Sequence, residues 1–479
     1  MEPTATRPSR GLPDPHGLPA RAGGLTWLRL CAPAPARNLV VAWPMGFAVL
    51  TVLTIAAVLL LSPYPPLQDF IEWIYQAEVL ARLGDDGALP GVRLAGYPVP
   101  NSLFQLLLGG FALVMPAPAA GRLFLVAYAA AALLLAAGLA RRYQPEAAAP
   151  FTCILLISFF FNAPFWNGYG NYQTGLLLLA GWYLLPEARR ISPWLILAYG
   201  LLLFFAHAMV FAAFAAILGV EALARRRVLP TALALAPAML LFAWYVLGKE
   251  APPTAHQPGQ VEEASSLALK AYTLAKIGPY HNFVFDSGGD AVLRPLVYSA
   301  GSAVNLLYAA ALLAAIAWGG RTAWRRRSVP WAAVAAAAGL GLLFLFLPSR
   351  IQSVVVNPGE RLMYPALLLL LLALPLPRQP ARLLGGSIAV LALSLTGLGL
   401  GPRPWDIPVS PAGPAAAREP RQVLFWHRPT AFTCKWQEMR RAEAKGEAPQ
   451  LPITFRTSLL VGAGGAECDK DWERRDVKR

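Results

Sequence analysis

Charged side chains are scarce in this sequence: Asp, Glu, Lys and Arg make up 14% of it, against 56% hydrophobic residues. An ordinary soluble domain carries about 25% charged residues, so this composition, with a mean hydropathy of +0.48, excludes one. Histidine occurs five times and cysteine four times in 479 residues, and neither stands in paired zinc-ligand spacing, which leaves a zinc site without ligands. Also missing are a phosphate-cradling Gly-rich loop, a nucleophile elbow and any nucleic-acid-binding motif. The net charge of +15 therefore marks no nucleic-acid partner. Much of it sits in Arg clusters beside apolar runs, where positive charge sets membrane topology and attracts anionic lipid.

What the sequence has in abundance is apolar runs. A spanning helix needs roughly 20 apolar residues to cross about 30 Å of hydrocarbon. A dozen runs lie near 39–62, 102–116, 121–139, 149–165, 171–186, 192–206, 208–224, 229–247, 301–320, 329–347, 362–377 and 383–401. They predict an all-α membrane protein with about 11 transmembrane helices, within a range of 10 to 12, in a domain spanning 39–401. Residues 1–38, with Arg7, Arg10, Arg21, Arg29 and Arg37 among Pro, Gly and Ala, read as a disordered cytoplasmic tail rather than a signal peptide. Residues 402–479 form an extracytoplasmic C-terminal region.

Short basic loops stay in the cytoplasm. The clusters Arg141-Arg142, Arg189-Arg190, Arg225 to Arg227, Arg321 with Arg325 to Arg327, and Arg378 with Arg382 can all do so only if one run does not cross. The expected exception is 102–116, short and interrupted by Gly109-Gly110, lying on or dipping into the outer face. The runs 192–206 and 208–224 then form a hairpin with His207 at its outer turn. A rival count makes 192–224 one long helix and lets 102–116 cross, at the cost of placing two Arg pairs outside. The favoured arrangement gathers on the outer face the loop 63–100 with Asp69, Glu72, Glu78, Asp85 and Asp86, the turn 162–171, His207, the long loop 248–298, and the loop 348–361. A midplane with few ionisable groups argues against a conduction path. No substantial cytoplasmic domain is left to bind a nucleotide sugar.

This layout, a first crossing followed at once by an acidic, partly helical outer loop, a hairpin with a basic residue at its outer turn, and a late Arg361-Leu362-Met363-Tyr364-Pro365 entering a helix, resembles the GT-C glycosyltransferase superfamily. That superfamily includes oligosaccharyltransferase catalytic subunits, protein mannosyltransferases and aminoarabinose transferases. The resemblance implies transfer of a sugar from a polyprenyl-phosphate donor to a glycan, lipid or protein acceptor at the outer face; the Ala, Arg, Gly and Pro richness of the sequence suggests GC-rich coding and so a bacterial inner membrane. It makes Asp69 the catalytic carboxylate, as base toward the acceptor or as ligand of a divalent cation such as Mg or Mn. Asp69 also suits the N-cap of a helix over 70–80, with Glu72 completing a capping-box-like pair; Glu72 is a candidate substrate contact as well.

The family's second acid has no counterpart in Phe161 to Gln173, which carries amides and aromatics instead. Asn167, Tyr169 and Asn171 there suit sugar, because amides satisfy hydroxyls and rings cover pyranose faces; an interfacial aromatic belt with turn-forming Asn and Gly explains them equally. His207 and Arg361 match the family's phosphate-contacting positions, with Arg350 a further candidate; a packing histidine and an arginine snorkelling to lipid are the structural alternatives. The stretch 267–276 reads as an amphipathic helix on the membrane rim, and Tyr280 or His281 beside it are candidates to face the site. In an oxidising outer compartment Cys434 and Cys468 are expected to pair. Two other classes stay open: a transporter or flippase of a lipid-linked saccharide, and a noncatalytic membrane subunit of a polysaccharide or secretion assembly.

Overall fold

The computed structural model describes residues 39–61, 67, 70–83, 92–248, 266–280, 285–286, 293–348, 350–351, 355–400, 421–422 and 459–461. Residues 42–479 form one compact unit; of the other, 1–41, only 39–41 are described. The helices in chain order are α1 Leu39–Leu61, α2 Phe70–Ala81, α3 Ser102–Ala112, α4 Ala117–Tyr143, α5 Ala148–Leu155, α6 Ala163–Trp166, α7 Gly170–Leu184, α8 Glu187–Arg190, α9 Pro193–Ala206 and α10 Ala208–Ala224. They continue with α11 Val228–Gly248, α12 Ser266–Ala275, α13 Leu293–Arg325, α14 Trp331–Phe346, α15 Glu360–Ala373, α16 Arg378–Gly386 and α17 Ile388–Leu400. Among the described residues, strands are confined to two-residue pairs: β1 Arg93–Leu94 with β6 Leu460–Val461, β2 Phe285–Asp286 with β5 Arg421–Gln422, and β3 Arg350–Ile351 with β4 Val355–Val356.

The mostly helical architecture expected from the apolar runs is present. Among the described residues, α4, α11 and residues 303–325 of α13 are by length and composition long and apolar enough to cross a membrane, while six further apolar helices run 10–17 residues. The expected count of about eleven crossings goes beyond what helix length alone carries.

All five arginine clusters gather at one end of the helices. Arg142 donates to Leu184 O at 2.7 Å, Arg190 stacks over Tyr183, and Arg225 pairs with Glu187 at 2.6 Å. Arg378 pairs with Glu146 at 2.7 Å, and Gly319, near the arginine-rich end of α13, packs against Pro375 just before α16. Arg141 and Arg142 stand in the last turn of α4, where cations offset the helix dipole.

This convergence requires α3 not to run the full length of the bundle, and it does not. Its 11 residues reach about 16 Å at 1.5 Å per residue. It packs at the opposite end, Leu80 of α2 lying over its Gly109 and its Phe104 against Gly170 at the start of α7. Helix α2, in the loop 63–100, is itself packed in: Phe70, Trp73, Ile74 and Tyr75 are buried, with Phe70 against Phe104 and Phe124.

The rival reading of 192–224 as one long helix does not hold. His207, with φ −166° and ψ 122°, is extended backbone between α9 and α10. The two helices fold back on each other, Phe204 meeting Phe211 ring to ring. Both loose ends at the break are met: the Ala208 and Met209 amides donate to Asn101 Oδ1 at 2.9 Å and His207 Nδ1 at 3.2 Å. Asn101 holds a left-handed φ of 71°, a conformation asparagine tolerates better than most residues.

A second irregularity lies after α5. Residues 156–160 are π-helical, the Phe161 amide reaching back to Leu156 O at 2.8 Å. The freed Phe160 carbonyl accepts from the Tyr128 hydroxyl at 2.7 Å. Asn162 then caps α6, accepting from the Phe165 amide and donating to Phe159 O, and takes a hydrogen bond from Gln173 Nε2 at 2.6 Å.

Candidate functional site

The site lies at the end opposite the arginine clusters, where the α9–α10 break, the start of α7 and the start of α15 meet. The Tyr172 ring stands edge-on to the His207 imidazole, centroids 5.1 Å apart. The Tyr172 hydroxyl donates to the Arg361 carbonyl at 3.0 Å, and the Arg361 guanidinium lies 5.1 Å over the Tyr169 ring, a cation–π distance. Three of the sequence's candidates, Tyr169, His207 and Arg361, are thus brought together through Tyr172. Gly170, between Tyr169 and Asn171, leaves room for the Phe104 ring; any Cβ there would overlap it.

His207 is buried, and it is burial first and the Arg361 guanidinium second that hold its pKa well below the usual histidine value. The imidazole is therefore neutral near pH 7. Its Nδ1 accepts from Met209, so Nε2 carries the proton, a tautomer inferred from that hydrogen bond. The cation at this site is Arg361, and His207 offers a neutral N–H donor.

A second cluster lies around the start of α15. Glu360 is buried and its Oε1 stands 3.6 Å from Lys276 Nζ, close enough for an ion pair and too long for a hydrogen bond. Thr273 accepts from Asn357 Nδ2 at 2.8 Å. Lys270, 2% exposed, lies 5.2 Å over the Phe344 ring, and its Nζ has no hydrogen-bond partner among the described residues. Burial lowers its pKa. Gly359 admits this ammonium, since a Cβ there would sit 2.9 Å from Lys270 Nζ.

Sequence reading missed this cluster. It takes 267–276 as an amphipathic helix on the rim, but Lys270 of α12 and Lys276 just after it face inward while Leu267 is 75% exposed. The available signal was the spacing of Lys270, Thr273 and Lys276 at i, i+3 and i+6, which puts them on one helical face. Glu360 and Asn357 supply the polar wall that face needs.

The remaining candidates fall in different places. Glu72 is buried and accepts from Gln76 at 3.2 Å; Gln76 accepts from Gln105, and Gln105 from the Leu459 amide, a ladder tying α2 and α3 to the edge of β6. Asn167 is 2% exposed, with an Oδ1 that has no partner among the described residues. Asn171 accepts from the Tyr172 amide at 2.8 Å. Arg350 is described through its backbone, paired with Val356 on β4. The Tyr280 backbone is held at both ends by Asn305, and its ring packs on Gly301. Asp69, Asp85, Asp86, His281, Cys434 and Cys468 lie outside the described residues.

Among the described residues no three His, Cys, Asp or Glu side chains converge as metal ligands. Glu360, the described acid next to Arg361 in the sequence, faces Lys276, and a cation set beside Lys276, Lys270 and Arg361 meets like charge. The described donors do not fit a divalent ion. No family model matches the chain, and neither a curated protein nor a solved structure matches it.

Proposed function

We propose that the protein is an integral-membrane glycosyltransferase of GT-C type, transferring a sugar from a polyprenyl-phosphate donor to a glycan, lipid or protein acceptor at the outer face of a bacterial inner membrane. The observation that carries this reading is the grouping of His207, Tyr172, Arg361 and Tyr169 at the end away from the arginine clusters. By the charge rule that end is outside, and gathering all five clusters at the other end supports an odd number of crossings, about eleven.

In the proposed reaction an acceptor hydroxyl or amine attacks the anomeric carbon. The bond from that carbon to the phosphate oxygen breaks, the electron pair leaves with the polyprenyl phosphate, and the acceptor proton passes to Asp69. Negative charge grows on the phosphate, where preorganised donors act most strongly. Arg361 supplies a permanent forked cation and His207 an Nε2–H. Lys276 and Lys270 add positive potential behind Glu360. Tyr169, Asn167 and Asn171 are assigned to the sugar, and Glu72 and Arg350 to the margins of the site.

The test is transfer from labelled polyprenyl-phosphate sugars by the full chain in nanodiscs, with a glycan extract as acceptor. Asp69→Asn is expected to abolish transfer, Arg361→Ala to reduce it about 100-fold or more, and Arg361→Lys about 10-fold because it keeps charge but loses the fork and the stack on Tyr169. Wild-type rates in all three variants would remove these residues from the reaction. Movement of an intact lipid-linked sugar across the bilayer, insensitive to Asp69→Asn, would make the protein a flippase.

A further inference from the structure

At the arginine end, a cavity of about 50 Å³ opens between α8, α9, α10 and α11, lined by Arg190, Arg225, Arg227 and Glu221 with Ile196 and Pro230. Arg225 pairs with Glu187 at 2.6 Å and stands 3.9 Å from Glu221. Three arginines against these two glutamates leave one positive charge. Arg190 stacks 5.2 Å over Tyr183, and its buried Nε has no hydrogen-bond partner among the described residues. A buried donor left unmet costs stability, so an acceptor is what the cavity lacks.

Its size and surroundings narrow the acceptor. At about 10–15 Å³ per water-sized group, the cavity takes roughly four, the number of oxygens around a phosphodiester phosphorus. The lining holds three arginines and Glu221, and once Glu187 outside it is counted against Arg225 one positive charge is left for the single negative charge of a phosphodiester. Pro230 at the cavity's edge borders an apolar stripe on the outer side of α11, Thr231 facing the buried side: Leu229, Leu233, Leu240, Trp244 and Leu247 are each more than half exposed. These positions recur at helical spacing and lie on one face.

We propose that this cavity holds the phosphodiester headgroup of an anionic phospholipid, with the acyl chains lying along α11. Free phosphate would satisfy the arginines but would leave the stripe unused. The site is separate from the sugar-transfer end and does not depend on that reading.

The test is native mass spectrometry of the full chain released from detergent in the presence of equal dioleoylphosphatidylglycerol and dioleoylphosphatidylcholine, with inorganic phosphate in a parallel sample. One phosphatidylglycerol per chain is expected to survive activation, in preference to the choline lipid. Arg190→Gln with Arg227→Gln should lower its retention about fivefold for each arginine removed, whereas Arg141→Gln with Arg142→Gln, an equal loss of charge at the same end, should leave it unchanged. Should the double variant not fold, Arg227→Gln alone, a change at the exposed rim, is expected to give the single fivefold loss. Equal retention of the two lipids, an equal effect of the Arg141 and Arg142 pair, or displacement of the lipid by inorganic phosphate would each overturn the proposal.

Discussion

At the scale of single residues, His207 shows how one side chain can serve structure and chemistry together. It ends α9, caps α10 through Nδ1 and leaves Nε2 as a donor beside Tyr172 and Arg361. Its depressed pKa has a consequence for stability. Above the ordinary value of 6.5 the ring is neutral folded and unfolded; as pH falls below it, the unfolded chain takes up a proton that the folded site resists. Stability is therefore present above about pH 6.5 and is lost as pH drops toward the folded pKa. Thermal melts of the wild type from pH 7 to 5 should show this decline, and His207→Gln should flatten it; an identical slope in the variant would show that His207 is not the group titrating.

Glu360 is the residue-scale counterpart at α15. It is the carboxylate opposite Lys276, in a wall that also receives Lys270. Removing one partner of a buried pair typically costs about 3–5 kcal/mol, and Glu360→Gln does so while keeping the shape. The expected result is faster amide exchange across 266–280 than across α14, because α12 is held against the bundle by that wall. Unchanged protection of α12 would mean that its packing, and not the ion pair, holds it.

At the scale of elements, the site depends on where helices stop. The π-helical segment before Phe161 and the extended residue at 207 each expose backbone groups that side chains then satisfy, while the early end of α3 closes on its own backbone, the Leu113 amide donating to Gly109 O at 3.2 Å. The α3–α7 contact is the tightest of these junctions. Gly170→Ala would push into the Phe104 ring, and such overpacking costs about 1–3 kcal/mol. A lowered melting temperature is expected, with relief when Phe104→Leu is added; no change in the single variant would mean the ring can move aside.

The helix breaks were legible to different degrees. His207 stands out as the one ionisable residue in an apolar stretch, and Gly109-Gly110 with Pro116 marks the end of α3. The π-helical turn carries no such mark in Leu156 to Phe160, since its hydrogen-bond shift is decided by Tyr128 claiming a carbonyl from another helix.

For the molecule as a whole, the distribution of arginines and of site residues to opposite ends makes a direct prediction. In a variant without native cysteines, Arg141→Cys and Arg226→Cys should be labelled by an impermeant thiol reagent from the same side of sealed vesicles, and Arg93→Cys, exposed on β1, only from the other. Labelling of all three from one side would break the proposed orientation.

Composition and the spacing of apolar runs by themselves determined the mostly helical class with helices long and apolar enough to cross a membrane, and the hairpin at His207, because these follow from local hydropathy and chain punctuation. Only the tertiary structure decided that Tyr172 would join His207 to Arg361, that Lys270 and Lys276 would turn inward, and that Glu72 would sit in a glutamine ladder. Each of those depends on which remote segment completes the contact, as when Asn357 reaches Thr273 across 84 positions or Gln105 joins Gln76. Polar groups in a bundle of apolar helices are too costly to bury alone, and the partner that satisfies them is chosen by packing, which no local pattern records.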